Sequence, residues 1–422
     1  MNDVRPRLAF ISPVFLFPND TGGRIRTTNI LRGLKGGAFH VTLLGPAGEE
    51  QQRRWAWRLA ELCDDFVAWQ PQPSRARWRR AWDLLDPLPV NVVADRTVAA
   101  LRAVRRALVP RAFDVAVFDF VHAAVLRPPD IDTATMCFTH NVEAEIFARH
   151  ADRARGALMR AVWAAQSTKM RRFEAAALRS FTSVIAVSER DAACFRDQYA
   201  VAAPAVIPTG VDLDFFAWRA PPRVGADTPP TVVFTGSMDW DANIDGVHDF
   251  LDNVWPLVVE RVPRARFTVV GRSPPRALVE RGRGIPGVNF TGLVDDVRPY
   301  VHGAHVFVIP LRVGGGTRIK AFEAMAMGCP VVSTTIGIEG LTVLAEEHFL
   351  LRDGAAEQAG AIVSLLEDEA MRHALSARAR RCVESRFGHE VAARVFEGAC
   401  LAAVDQRSHP AGQRLDPERS AC

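Results

Sequence analysis

Short apolar runs that alternate with helical segments constrain the fold of this chain more than any other feature. In the first half the runs lie at 8–12, 41–45, 115–118, 134–138, 183–187 and 205–207, and helical patterns lie at 24–34, 143–149, 157–179 and 189–199. Beyond the proline-rich stretch 221–230, further runs lie at 231–235, 266–270, 288–291, 305–309 and 330–333. Buried parallel strands joined by helices produce this pattern. Because 422 residues exceed what one core usually organises, we predict two α/β, Rossmann-like domains.

Composition excludes several classes of protein. The net charge of +4 is too small for a chain of this length to indicate nucleic-acid binding. No run reaches the roughly 18 apolar residues that a membrane span requires, and Met1 to Arg7 lacks the apolar core of a signal peptide. The seven cysteines form no C-x-x-C pair, so we expect reduced thiols and no zinc site. We therefore expect a cytoplasmic protein.

Arginine and tryptophan are interleaved between residues 53 and 82. The cluster comprises Arg53, Arg54, Arg58, Arg75, Arg77, Arg79, Arg80, Trp55, Trp57, Trp69, Trp78 and Trp82. This mixture suits peripheral contact with an anionic membrane surface, here the cytoplasmic face of the inner membrane. A solvated helix pair with its tryptophans packed inward explains the same residues.

The segment 305–334, HVFVIPLRVGGGTRIKAFEAMAMGCPVVST, is the most informative one. A strand leads into the glycines at 314–316, Thr317 is a suitable N-cap, and a helix is predicted from Arg318 to Met327. Gly328 suits the left-handed position that ends such a helix. Ligands of open parallel sheets bind beyond the carboxyl ends of the strands, where we expect this loop.

The charges in that segment predict an anionic ligand. Arg318 and Lys320 fall in the predicted first turn, where the helix dipole disfavours each cation by about 0.3–1 kcal/mol. A bound phosphate reverses that sign, and glycine lets backbone N–H groups approach it. Glu323, one turn after Lys320, is placed to accept hydrogen bonds from ribose hydroxyls. A Lys–Glu pair on a solvated face is the alternative.

The segment GGGTRIKAFEAMAMGCPVVST resembles the donor-binding signature of retaining GT-B glycosyltransferases of family four, the group 1 glycosyltransferases. It is most similar to the bacterial sugar transferases associated with exopolysaccharide synthesis. Four other segments resemble parts of the same family: PNDTGGRIRTTNILRGL (18–34), THNVE (139–143), IPTGVDLDFF (207–216) and FTGSMDWDANIDGV (234–247).

The resemblance implies a GT-B fold, in which two Rossmann-like domains face each other across a cleft. Residues 1–207 would form the acceptor domain, joined by a C-terminal helix at 389–404, and residues 208–388 the donor domain. We expect residues 405–422 to be disordered. The implied reaction moves a sugar, with retention, from a nucleotide-diphosphate sugar to a glycan or lipid-linked acceptor in cell-surface or exopolysaccharide synthesis. It requires no metal and no cofactor.

The resemblance also implies roles for individual residues. The roles of Arg318 and Lys320 rest in addition on our own inference about charge. The expected catalytic residues are His140, Arg318 and Lys320. The expected donor-binding residues are Gly22, Gly23, Gly236, Gly315, Gly316, Thr317 and Glu323. The expected acceptor contacts are Arg24, Arg26, Asn141 and Glu143. The alternatives are a plain turn at Gly22–Gly23, a structural histidine at 140 and surface arginines at 24 and 26.

Two departures from the family pattern affect this interpretation. Gly315 stands where the family carries the first glutamate of its paired motif, which contacts the donor sugar. Met238 and Asn243 stand in the loop where an arginine and a lysine commonly grip the pyrophosphate. We infer that Arg318 and Lys320 supply the missing charge. A nucleotide-sugar 2-epimerase and a catalytically silent donor-binding relative remain alternative functions.

Overall fold

The computed structural model describes residues 5–19, 21–72, 82–110, 112–154, 156–208, 210–225, 228–313 and 318–408. The chain divides into two compact units. Unit 1 comprises Met1–Pro208 and Ala392–Cys422, and unit 2 comprises Thr209–Val391. Each unit is built on one parallel sheet with helices, so the predicted α/β class is confirmed.

Unit 1 contains a seven-stranded sheet in the order β3-β2-β1-β4-β5-β6-β7, and every pairing is parallel. Its strands are β1 Arg7–Ile11, β2 His40–Pro46, β3 Asp65–Trp69, β4 Val115–Asp119, β5 Ala134–Phe138, β6 Ser183–Ala186 and β7 Ala205–Val206. Its described helices are Gly22–Leu34, Glu49–Ala60, Val90–Asp95, Val98–Leu108, the 3-10 turn Val121–Leu126, Glu143–Arg153, Ala157–Arg179 and Glu189–Tyr199. The helix His389–Ser408 begins in unit 2 and runs into unit 1.

Both faces of the unit 1 sheet are covered, as the continuous apolar runs predict. On one face the helix Gly22–Leu34 and the C-terminal helix pack on the sheet. Phe396 of the C-terminal helix lies with its ring centroid 5.2 Å from that of Phe138 in β5 and 6.2 Å from that of Phe10 in β1. Helices from 98–108, 157–179 and 189–199 cover the other face. Burial on both sides explains why these strands contain almost no polar residues.

Strand β3 is absent from the sequence prediction. Its residues, DFVAW, lie at the edge of the sheet, where exposed and partly buried positions alternate and only Trp69 is buried. An edge strand that is half solvated carries no continuous apolar run, so it lacks the feature by which the other strands were recognised.

Unit 2 contains a six-stranded parallel sheet in the order β10-β9-β8-β11-β12-β13. Its strands are β8 Thr231–Thr235, β9 Arg266–Val270, β10 Val288–Gly292, β11 Val306–Ile309, β12 Val331–Ser333 and β13 Leu350–Leu351. Its described helices are Asp241–Asp249, which continues through the π-helical turn Phe250–Val254 into Trp255–Arg261, then Arg276–Arg283, Arg298–His302, Ile319–Ala326, the 3-10 turn Ile336–Ile338, Ala355–Glu367 and Glu369–Arg386. The two-residue strand β13 is absent from the sequence prediction.

Of the described tryptophans in the arginine–tryptophan cluster, two are packed against the protein and two are exposed. Trp55 stacks on Phe17, with ring centroids 5.1 Å apart, and Trp69 is buried. Trp57 and Trp82 are 59% and 67% exposed. Arg75, Arg77, Trp78, Arg79 and Arg80 lie outside the described residues. Among the helices that are described, none combines the length and apolar character needed to cross a membrane.

The described cysteines are free thiols, and five of these six are buried. In the described ranges no group of three or more His, Cys, Asp or Glu side chains could hold a metal ion. The C-terminal helix reaches Ser408, four residues into the segment for which we predicted disorder, and residues 409–422 lie outside the described part of the chain.

Candidate functional site

The carboxyl edge of the unit 2 sheet brings together two segments that are distant in sequence. Strand β8 ends at Thr235 and is followed by Gly236, while the helix Ile319–Ala326 follows β11. A Cβ atom on Gly236 would lie 2.9 Å from Nζ of Lys320 and 2.8 Å from Nδ2 of Asn243. Glycine therefore lets the loop after β8 approach the start of this helix closely, and any larger residue would force one of these two side chains to move.

Lys320 is a desolvated cation held by an amide. Its Nζ donates a hydrogen bond to Oδ1 of Asn243 at 3.1 Å and lies 4.3 Å from the ring centroid of Phe234. The Nδ2 of Asn243 in turn donates to the carbonyl oxygen of Ser237 at 2.7 Å. Burial, together with the nearby charge of Arg318, lowers the pKa of Lys320 to about 7, while Glu323 opposes the shift. An anion bound beside Lys320 would restore its charge.

Arg318 differs from its predicted placement. It precedes the helix as the N-cap residue, with φ −82° and ψ 62°, because the helix begins at Ile319. Its side chain is buried, its Nε donates to the carbonyl oxygen of Ile336 at 3.2 Å, and its guanidinium carbon lies 5.5 Å from the Trp240 ring. Part of the Arg318 guanidinium is thus bonded to the turn Ile336–Ile338. Lys320 is therefore better placed than Arg318 to bind an anion. Gly315, Gly316 and Thr317 lie outside the described residues.

Glu323 lies one turn after Lys320 and is half-buried. Burial raises its pKa to about 7, and the nearby ammonium of Lys320 works against that rise. The helix continues to Ala326, and Gly328 then adopts φ +83°, the left-handed conformation predicted for it. A Cβ atom there would lie 2.4 Å from the carbonyl oxygen of Arg219, so this end of the helix also requires glycine.

In unit 1, Gly22 and Gly23 form the start of a helix of 13 residues whose first turn carries no acidic side chain. A Cβ atom on Gly23 would lie 2.6 Å from Cζ of Phe120. Packing against Phe120 therefore requires Gly23, whatever ligand the helix start binds. Arg24 donates to the carbonyl oxygen of Pro18 at 3.2 Å.

His140 belongs to a buried polar network. Its Nε2 lies 2.7 Å from Oδ1 of Asp119, and its Nδ1 lies 3.4 Å from NH1 of Arg26. Both ring nitrogens are thus engaged, and the side chain is 1% exposed. Burial is the largest influence on His140 and lowers its pKa. This geometry favours the structural alternative for His140, and direct contact with a sugar stays a prediction.

The same network engages Arg26, which is buried rather than at the surface. Burial lowers the pKa of its guanidinium to about 10. Asp119 also accepts hydrogen bonds from the hydroxyls of Thr27, at 3.0 and 3.1 Å, and of Ser12, at 3.2 Å. Asp119 was missed in the sequence. An acidic residue that ends the otherwise apolar run VAVFD is the signal that could have identified it.

The segment after His140 is fixed by a second buried carboxylate. Glu174 accepts hydrogen bonds from the backbone nitrogens of Glu143 and Ala144, at 2.8 and 3.1 Å, and from the hydroxyl of Tyr199 at 3.0 Å. Burial raises the pKa of Glu174 to about 7. Glu143 is 9% exposed, and burial raises its pKa although the Asn141 side chain hydrogen-bonds to it.

Residues 229–368, which contain the unit 2 site, match the family model described as glycosyl transferases group 1. A phosphatidyl-myo-inositol mannosyltransferase of Mycolicibacterium smegmatis is 31% identical over 201 residues, which are 45% of this chain and 50% of that protein. The chain spans half or less of the length of the curated relatives it matches.

Solved structures share the fold across nearly the whole chain. Sucrose-phosphate synthase from Thermosynechococcus elongatus is 20% identical, with a TM-score of 0.66, over 94% of this chain and 100% of that one. Anabaena HepE in complex with UDP and glucose is 14% identical, with a TM-score of 0.63, over 94% of this chain and 99% of that one. The chain therefore has the fold of GT-B glycosyltransferases, and residues 229–368 match the family model for group 1 glycosyl transferases.

Proposed function

We propose that this chain transfers a sugar, with retention at the anomeric carbon, from a nucleoside-diphosphate sugar to a hydroxyl of a glycan or lipid-linked acceptor. Unit 2 binds the donor and unit 1 the acceptor. The observation that carries this proposal is the partly buried ammonium of Lys320, held by Asn243 against Gly236 at the start of a helix. The matched family model over 229–368 and the binding of UDP and glucose by HepE support it.

The donor's diphosphate is the natural ligand for this arrangement. Helix-start N–H groups and a desolvated ammonium both stabilise negative charge, and that charge grows on the diphosphate as it leaves. Lys320 neutralises it without a metal ion, and Glu323 accepts hydrogen bonds from the ribose hydroxyls. Asn243 stands in the loop where the family commonly carries a basic residue. It orients Lys320 and does not contact the phosphate itself.

The reaction breaks the bond between the anomeric carbon and the phosphate oxygen. The acceptor hydroxyl oxygen forms the new bond on the same face, and its proton passes to the departing phosphate oxygen. This course requires no protein nucleophile. It is compatible with a His140 whose two nitrogens are already engaged inside unit 1. Exclusion of water protects the donor, since hydrolysis competes with transfer.

A two-step experiment tests the proposal. A thermal-shift screen of nucleotide sugars identifies the base and sugar that stabilise the protein. That donor is then incubated with a panel of neutral glycosides and lipid-linked sugars, with and without EDTA, and the product is examined by NMR at the anomeric position. We expect acceptor-dependent transfer, retention and no effect of EDTA.

The same experiment separates the alternatives. Conversion of the donor in the absence of any acceptor would indicate an epimerase. Donor binding with no turnover across the panel would indicate a silent relative. Loss of transfer with EDTA would contradict the metal-independent part of the proposal.

A further inference from the structure

A second imidazole at the carboxyl edge of the unit 1 sheet is arranged differently from His140. His122 lies in the 3-10 turn that follows β4, and its Nδ1 is 2.5 Å from Oδ2 of Asp95, at the end of the helix Val90–Asp95. The side chains of His122 and Asp95 are 15% and 18% exposed. Nε2 of His122 makes no hydrogen bond to any residue of the described ranges. One nitrogen is therefore fixed and the other is left for a ligand.

The backbone at this point holds an unusual conformation. Phe120 adopts φ +68°, in the left-handed region that a phenylalanine rarely enters. Its ring stacks on His140, with centroids 4.0 Å apart, and on His122, with centroids 5.1 Å apart. Strained residues of this kind persist where surrounding contacts determine them, and they are concentrated at functional sites. Phe120 thus contacts both imidazoles at this edge of the sheet.

Further polar groups belong to the same edge. Asn141 and Glu143 follow β5, the neighbour of β4, and the two side chains are hydrogen-bonded. The acidic groups that act on His122 come from three elements: Asp95 from the helix before it, Glu143 from the helix after β5, and Asp119 from the end of β4. The other neighbouring imidazole, His140, is committed to Asp119. Hydrogen bonding to Asp95 raises the pKa of His122 against the opposing effect of burial.

We propose that His122, oriented by Asp95, and Glu143 form a subsite for two neighbouring hydroxyls of an uncharged acceptor sugar. The inference rests on the function proposed above and identifies the class of acceptor group that unit 1 recognises. Nε2–H of His122 donates to one hydroxyl oxygen, and the carboxylate of Glu143 accepts from the adjacent hydroxyl. One hydrogen-bond donor and one acceptor, which act on each other electrostatically, match the two hydroxyls of a vicinal diol.

The charge balance excludes a phosphorylated or carboxylated group at this position. Three carboxylates, from Asp95, Asp119 and Glu143, act on His122, and Asp119 also acts on the guanidinium of Arg26. The nearby guanidinium of Arg26 is buried and directed at His140. An anion would meet net repulsion here, whereas a neutral sugar meets only hydrogen-bonding groups.

The variant His122→Phe keeps an aromatic ring against Phe120 and removes both nitrogens. The chain offers a matched control, His40→Phe. His40 is also paired with a carboxylate, Asp65, at 2.8 Å, but it begins β2 and so lies at the opposite edge of the same sheet. Asp95→Asn is a second test variant, because it releases the imidazole without deleting it.

Binding of methyl α-mannoside, methyl β-glucoside and methyl β-galactoside is measured by saturation-transfer NMR, with methyl β-glucuronide as the anionic comparator. We expect the wild type and His40→Phe to bind at least one neutral glycoside. We expect at least a tenfold loss of that binding in His122→Phe and a smaller loss in Asp95→Asn. Glucuronide should bind none of the four proteins.

The subsite is refuted if no neutral glycoside binds the wild type, if His122→Phe binds as the wild type does, or if glucuronide binds best. Nucleotide-sugar binding, followed by thermal shift in the same variants, keeps this outcome separate from the proposed function. If the wild type binds a nucleotide sugar but none of the neutral glycosides, only the subsite is overturned. Failure of the wild type to bind any nucleotide sugar overturns the proposed function.

Discussion

Lys320 and Asn243 are joined by a hydrogen bond of 3.1 Å, although 77 positions separate them in the sequence. The bond links the helix after β11 to the helix after β8, and both helices begin at the carboxyl edge of the unit 2 sheet. It fixes a cation whose burial makes the charged form costly unless an anion is present. This pair is the basis of the donor-binding hypothesis.

Replacing the amide by an acid tests the pair directly. In Asn243→Asp, a carboxylate takes the place of the amide oxygen beside Lys320, so it neutralises the ammonium and repels a diphosphate. We expect affinity for the nucleoside diphosphate of the preferred donor to fall at least about tenfold, or about 1.4 kcal/mol, by isothermal titration calorimetry. Asn253→Asp adds the same charge at an exposed position of unit 2 and should bind as the wild type does.

Gly236→Ala should weaken the same binding for a steric reason. The added methyl group would lie 2.8 Å from Nδ2 of Asn243 and 2.9 Å from Nζ of Lys320, so at least one of these groups must move. We expect a lower affinity for the diphosphate with little change in melting temperature, since Lys320 can give way. Gly360→Ala, where a Cβ meets nothing within 4 Å, is the matched control. Equal affinities in the two variants would contradict the prediction.

The buried network around His140 predicts a loss of stability rather than a selective loss of catalysis. His140→Ala leaves Asp119 and Arg26 buried with fewer partners, which typically costs about 2–4 kcal/mol. Thermal unfolding should show a clearly lower melting temperature, and donor affinity measured well below that temperature should be retained. An unchanged melting temperature with turnover abolished would instead support direct contact between His140 and the transferred sugar.

Glu174 predicts a pH dependence of unit 1 stability. Its pKa in the folded chain is about 7, against an ordinary value of 4.5, so the folded state binds the proton more tightly. Between about pH 4.5 and pH 7 the folded state holds more protons than the unfolded one, and stability falls as the pH rises. The shift corresponds to about 3 kcal/mol for this fully buried group.

The variant Glu174→Gln removes that titration. The melting temperature of the variant minus that of the wild type should increase as the pH is raised from 5 to 8. Comparison with the wild type cancels the contributions of the other titrating groups, including Glu323. A difference that stays constant across this range would show that Glu174 does not titrate there.

Much of the fold could be predicted from the sequence because its inner strands are buried on both faces. Strands such as β4 and β11 have no exposed positions, so they appear as continuous apolar runs. The edge strand β3 is half solvated and lacks that signal. The position of Gly328 was predictable for a similar local reason, because a left-handed residue after a helix favours glycine.

The site could be predicted less completely, because its geometry depends on contacts between distant segments. The glycines and cations of 314–320 indicated an anion site, but nothing local shows that Arg318 turns toward Ile336 or that Asn243 holds Lys320. The pairing of His122 with Asp95 and the engagement of both His140 nitrogens likewise arise from the folded arrangement of unit 1. The roles of these residues in catalysis stay predictions.

The binding of the diphosphate by Lys320 is tested by comparing the affinities of Lys320→Gln for a nucleoside diphosphate and for the corresponding nucleoside. Glutamine is one atom shorter than lysine, but it keeps an N–H donor near Asn243 and carries no charge. If Lys320 holds the diphosphate, calorimetry should show at least a tenfold weaker diphosphate binding and unchanged nucleoside binding. Equal diphosphate affinities in the variant and the wild type would contradict the account.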